Sequence, residues 1–342
     1  MIPRRALLVP ALLALGASAL GLLAGCSRPA APDKGVVHFS VLSTDTTQVM
    51  SQYWQPILKD MERKTGLKID PFYSNNYTLL VEAMRFKKTD AGWFSNQSGL
   101  EAVRRGGGEV FARTVNASGQ DGYYSVLIAK KDRPITLESV LKCDKTLTFG
   151  LGDALSTSGT LAPMTYLFAP RDIDPNKCFK QVRSGSSHAA NLFAVANGQL
   201  DVATNNSTSL LLNHENGRHE ADAIKVIWRS PVLPEDPIVW RKDLDPALKE
   251  KLRQFFLTYG QGDTPEAARE RGYMNKVNVM GFKAADDTHL LPVREMEATE
   301  HWIQAKASGD QARVAKAKAA LDAIRADREA LEARLRKPAA DQ

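Results

Sequence analysis

The run Gly150-Leu151-Gly152-Asp153-Ala154-Leu155-Ser156-Thr157-Ser158-Gly159 holds the residues best suited to chemistry in this chain. Three consecutive hydroxyl side chains sit in a glycine-bounded loop after the strand-like Thr146-Leu147-Thr148-Phe149 and before an apolar segment, 160–169, whose Pro163 suits a helix start. Strand, Gly/Ser/Thr loop and helix start make an anion-binding arrangement. Hydroxyls donate, and the unpaired N–H groups of a helix start carry partial positive charge in the same direction, so an oxyanion needs no lysine there. An N-capping serine in an ordinary loop accounts for the same residues.

Other polar residues stand in separate loops: Tyr77, His188, Asn205, Asn206 and Asp236. Hydroxyls, amides and an imidazole suit a tetrahedral oxyanion without surplus positive charge. Asp236 fits only if it accepts a hydrogen bond from a protonated oxygen, an amine or a donor side chain of its surroundings. Ser158, His188 and Asp236 also spell out a nucleophile triad, which gives a hydrolase as the alternative. The serine lacks the Gly-x-Ser-x-Gly elbow, however, and repeated hydroxyls suit coordination better than activation of one oxygen. Without HExxH, Walker A or paired metal-ligand spacing, no cofactor and no metal are expected.

The elements that position these residues alternate. Residues 36–42 read as a strand, 48–65 as an amphipathic helix, 68–73 as a strand, 78–87 as a helix, 90–94 as a strand and 98–105 as a helix. Parallel β/α units follow, with ligand loops at the carboxyl ends of the strands. A longer strand, 122–130, leads to a second β/α series. Strand-like 225–228 and 238–240 flank 231–237 as a return crossing. The expected fold class is α/β: two Rossmann-like lobes joined by two crossover strands, with a cleft that closes by hinge motion. Lobe one comprises 36–127 and 232–300, and lobe two 128–231. Residues 301–342, rich in Ala, Lys, Arg, Glu and Asp with sparse leucines, form a long amphipathic helix.

At 342 residues with 43% hydrophobic and 25% charged content, the chain suits a two-lobed globular protein. Arg4 and Arg5 precede the apolar run 6–24, an export signal over 1–25. It ends Leu23-Ala24-Gly25-Cys26, which resembles a bacterial lipobox; Cys26 would carry the lipid, and 26–35 would be a tether. A plain transmembrane anchor is the competing account. Loss of the two arginines lowers the net charge from +6 to +4, and without an aromatic-basic patch no nucleic-acid partner is expected. In an oxidising compartment the remaining Cys143 and Cys178 can form a disulfide.

Taken together, Met84-Arg85-Phe86, Gly152-Asp153 with Ser156-Thr157-Ser158-Gly159, Ala194-Val195-Ala196-Asn197, 201–206 and Asp236-Pro237-Ile238-Val239-Trp240-Arg241 resemble the PhnD-type phosphonate-binding proteins of bacterial ABC importers, type II periplasmic binding proteins. The resemblance runs from about residue 36 to the C-terminal helix. It implies that Ser156, Thr157, Ser158, Tyr77 and His188 hold phosphonate oxygens, with Asn206 beside them and Asp236 facing the organic end. It further implies a permease as partner and a homodimer through the C-terminal helix. Aminoalkylphosphonate-binding members have glutamate where this chain has Thr208 and tyrosine where it has Phe94. One carboxylate and one phenol fewer imply weaker preference for 2-aminoethylphosphonate and room for alkylphosphonates or phosphite. A sulfonate is the alternative anion.

Overall fold

The computed structural model describes residues 35–336, apart from the side chains of 335 and 336. The expected export signal, Cys26 and most of the tether lie outside the described residues. Two sheets organise the rest. The first has the strand order β11-β4-β10-β3-β1-β2, built from β1 (Val36–Leu42), β2 (Lys68–Ser74), β3 (Ala91–Trp93), β4 (Gly108–Asn116), β10 (Pro237–Arg241) and β11 (Val279–Ala284). The second has the order β7-β6-β8-β5-β9, from β5 (Ser125–Lys130), β6 (Thr148–Gly152), β7 (Gln181–Ser186), β8 (Val202–Asn206) and β9 (Ile224–Arg229).

Strands β1, β2 and β3 pair in parallel, as do β6, β7 and β8. The parallel β/α units are as expected, and the returning strands add antiparallel pairs to each sheet. Strand β10 enters from the other lobe and runs antiparallel between β3 and β4, and β5 lies antiparallel to β8 and β9. Strand β5 belongs wholly to the second sheet, so the expected boundary at 127/128 falls inside it and the first crossing lies just before residue 125.

Alternation in β1 buries Val37, Phe39 and Val41, with Phe39 against Trp54 and Phe256, and Phe111 stacks on Trp240 with centroids 3.9 Å apart. The second lobe has a smaller aromatic centre, Phe149 with Phe168 and Phe179. Cys143 and Cys178 are bonded at its edge, tying the start of β6 to the segment before β7.

The two crossings hold each other through Tyr123 and Leu233, whose N–H groups each donate to the other's carbonyl, at 3.0 and 2.8 Å. Gly122 makes this contact possible: its φ is +147°, and a Cβ there would stand 2.2 Å from the Leu233 oxygen.

The long C-terminal helix expected over 301–342 is present as Gln311–Arg336, but it starts later and forms a hairpin with the helix before it. Helix Leu291–Ser308 ends at Gly309, and helix Gln311–Arg336 folds back upon it. Leu321 is fully buried, and Glu295 pairs with Arg325 at 2.9 Å and Arg328 at 3.2 Å, so one residue of the sparse apolar stripe and two arginines beside it are engaged within the chain.

Candidate phosphonate-binding site

The hydroxyl loop takes shape from its glycines. Gly152 and Gly159 approach so closely that a Cβ on Gly152 would stand 2.8 Å from the Gly159 Cα, which folds the loop into a wide π-type turn over Thr157–Leu161. Ser156 caps that turn, accepting from the Gly159 N–H at 2.9 Å. Capping and a place in the cavity wall therefore coexist in one residue.

The successive hydroxyls diverge. Ser156 and Ser158 line a cavity of about 60 Å³ between the lobes, whereas Thr157 does not; its Oγ1 accepts from the Gln97 N–H at 2.8 Å. The expectation that Thr157 faces the ligand cavity is thus corrected, because it bridges the lobes instead. Ser158 Oγ is the hub of the wall, 3.2 Å from His188 Nε2 and accepting from Asn206 Nδ2 at 3.3 Å. His188 begins helix His188–Ala196, and Asn206 Oδ1 caps helix Ser207–Glu215 by accepting from the Ser209 N–H at 2.6 Å. Asn205 points away, donating to the His188 carbonyl at 2.9 Å.

Tyr77 opens helix Tyr77–Arg85 and reaches the same cavity from the first lobe; burial holds its phenol above the ordinary range, partly offset by a hydrogen bond with Ser156. Burial lowers His188 to about 4, so its imidazole is neutral at pH 7, and its Nδ1 has no hydrogen-bond partner. That missing link also breaks the triad of the alternative hydrolase reading. Asp236 accepts from Asn96 Nδ2 at 3.2 Å and Tyr123 OH at 3.3 Å, with no hydrogen bond to His188.

The cavity's other end is acidic. Asp236 and Glu235 both line it, and burial followed by the charge of Glu235 keeps Asp236 well above the usual carboxylate range. Among the described residues no lysine or arginine lines the cavity. Thr208 is in the wall, with Asn278 Nδ2 3.5 Å from its Oγ1. Phe94 is not: its ring is fully buried in the first lobe's core, while Trp93 faces the cavity, as neighbours on an extended chain must diverge. The phenol beside Asp236 comes from Tyr123, on the crossing. Tyr123 and Glu235 are the residues sequence reasoning missed. Their signals were a Gly-Tyr-Tyr step at the start of a strand and an acidic pair before Pro237.

The lobes touch around this cavity. Ser95 Oγ donates to the Leu155 carbonyl at 3.0 Å, and Arg218 pairs with Asp45 at 2.9 Å. Among the described residues no group of three or more His, Cys, Asp or Glu side chains could hold a metal ion, and no helix is long and apolar enough to cross a membrane.

Two α/β lobes on paired crossings, closed over a cavity with polar walls, define a bilobal solute-binding protein. Residues 39–290 match the family model of the ABC transporter, phosphonate, periplasmic substrate-binding proteins. The chain is 42% identical over 261 residues to the phosphonates-binding periplasmic protein of Escherichia coli (strain K12), covering 76% of this chain and 75% of that protein. It is similar in structure to the binding protein component of an ABC phosphonate transporter from Pseudomonas aeruginosa, with TM-score 0.78, 39% identity and coverage of 89% and 98% of the two chains. PhnD1 from Prochlorococcus marinus in complex with methylphosphonate shares the fold at TM-score 0.68 and 20% identity, over 77% of this chain and 97% of that one. The chain belongs to the family of periplasmic substrate-binding proteins of ABC phosphonate transporters. Proteins of this family are the substrate-binding components of importers and work with a permease.

Proposed function

We propose that this protein captures a phosphonate, or phosphite, between its lobes, with the anionic head against Ser156, Ser158, His188, Asn206 and Tyr77 and the organic end toward Asp236 and Thr208. The observation that carries this reading is the wall centred on Ser158. Hydroxyl, amide and neutral imidazole groups meet there, buried and without a fixed cation. Such groups hold an anion by hydrogen bonds, and exclusion of water strengthens each of them. Ligand held by both lobes favours the closed form, the state a permease can distinguish from the open one.

Binding without turnover is part of this reading, supported by the absence of any hydrogen bond between Asp236 and His188. We place the protein in the periplasm, held to the membrane by a lipid on Cys26, and assign the outer face of helix Gln311–Arg336 to self-association. Mass measurement of protein extracted from membranes tests the lipid. Sedimentation of the full chain against one ending at residue 302 tests the dimer, which is expected only for the full chain.

Isothermal titration with methylphosphonate, phosphite, phosphate and methanesulfonate, followed by mass analysis of the ligand, tests the central reading. One phosphonate or phosphite per chain, recovered unchanged, is expected. Tighter binding of the sulfonate, or consumption of the ligand, would overturn it.

A further inference from the structure

Glu235 has no place in an anion site, yet it is built firmly into this one. Its Oε2 accepts from Thr114 Oγ1 at 2.9 Å and its Oε1 from Asn116 Nδ2 at 3.2 Å, and the residue is 7% exposed. It lines the same cavity as Asp236, its neighbour in sequence. The groups that act on it from the surrounding elements are Arg113 and Asp121; His289 donates to its backbone carbonyl at 2.7 Å, not to its carboxylate. Arg113 is itself paired with Asp121 at 2.6 Å. Two adjacent acids therefore face a cavity lined by no lysine or arginine, and burial raises both above the ordinary carboxylate range.

A buried carboxylate pair without a cation is costly, and a ligand that brings the cation removes the cost. The cavity's opposite end asks for the reverse charge. There His188, 4% exposed, lines the wall with an unpartnered Nδ1, and Ser158 and Asn206 stand beside it. One end thus suits an anion and the other a cation. Thr208, in the same wall, carries a neutral hydroxyl and adds no charge of its own.

We propose that Glu235 is a specificity-determining residue, forming with Asp236 a two-carboxylate seat for the ammonium of a zwitterionic phosphonate. This rests on the phosphonate reading above. It also revises the expectation drawn from Thr208: the second carboxylate is supplied from the crossing of the first lobe instead of from the second lobe, and preference for an amino ligand is retained.

The test is titration of the full chain with 2-aminoethylphosphonate and propylphosphonate, which match in length and differ in the terminal charge. The wild-type protein is expected to bind the amino ligand at least about tenfold more tightly, because a site built for a charged partner rejects the analogue that lacks it. In Glu235→Gln that ratio falls about tenfold, with propylphosphonate binding more tightly than in the wild type once a buried negative charge is gone. Equal wild-type affinities, or parallel shifts of both ligands in the variant, would overturn the assignment while leaving phosphonate binding intact. Failure of the wild type to bind either ligand would instead sink the phosphonate reading, and this assignment with it. If Glu235→Gln does not fold, Glu235→Asp, which keeps the charge but shortens its reach, and Glu235→Ala are titrated in its place: the assignment expects the ratio to fall more in Glu235→Ala than in Glu235→Asp, and an unchanged ratio in Glu235→Ala overturns it.

Discussion

The two ends of one cavity are built by opposite means. The hydroxyl end comes almost entirely from the second lobe, and two of its side chains also serve the backbone: Ser156 and Asn206 cap helical turns, while His188 stands in the first turn of a helix and Ser158 joins it to Asn206. The acidic end comes from the first lobe and the crossings, where Asp236, Glu235 and Tyr123 have side-chain partners but no helix to cap. The first end is stiff because folding the lobe places it. The second depends on how two separate crossings meet, so the ligand's head is held by local structure and its tail is selected by tertiary structure.

The largest effect that sharpens this contrast is a pH dependence of stability. His188 drops from 6.5 to about 4 on folding, so between those values the unfolded chain takes up the proton and the folded one does not; stability is lost as pH falls through this window. The raised Glu235 and Asp236 act with the opposite sign, since there the folded state holds more protons and stability is lost as pH rises. His188→Gln should therefore gain on the wild type by up to about 3 kcal/mol between pH 7 and pH 4, read by urea unfolding at both values. A constant difference between the two proteins would break the assignment of a buried, neutral imidazole.

Ser158→Ala removes the hub of the hydroxyl end. Amino and alkyl phosphonates should both weaken, by about 10- to 100-fold in calorimetry, because the head is common to them. Asp236→Asn acts on the other end and should cost the amino ligand about tenfold while sparing methylphosphonate. Equal losses for the two ligands in that variant would mean that the ends are not separate. The smallest effect belongs to the rim, where Arg218→Ala removes the ion pair with Asp45 and should weaken both ligands by about fivefold or less through a more open resting state, checked by titration and small-angle scattering.

Legibility in the sequence follows the same division. The hydroxyl end was readable because its loop is contiguous, from Gly150 to Gly159, and its capping chemistry leaves a local signature. Even so, a tight turn splays its side chains, and Thr157 turns to the neighbouring lobe while Ser156 and Ser158 face the cavity. The acidic end was read only in part. Asp236 stood out before Pro237, but nothing local says that Glu235 shares its cavity, or that the phenol beside it is Tyr123 and not a residue at 94. Those facts depend on the register in which the crossings meet at Tyr123 and Leu233. The two-lobed α/β plan was legible from the alternation of strands and helices. The direction of β10 and the break at Gly309 were not, because periodicity carries neither strand polarity nor the hairpin that folds one helix upon another.

A crystal structure with 2-aminoethylphosphonate bound tests the account most directly. The phosphonate oxygens should lie within hydrogen-bond distance of Ser158 Oγ and the His188 ring, with the ammonium between the carboxylates of Asp236 and Glu235. A phosphonate at the carboxylate end, or a ligand outside the cavity between the lobes, would contradict it.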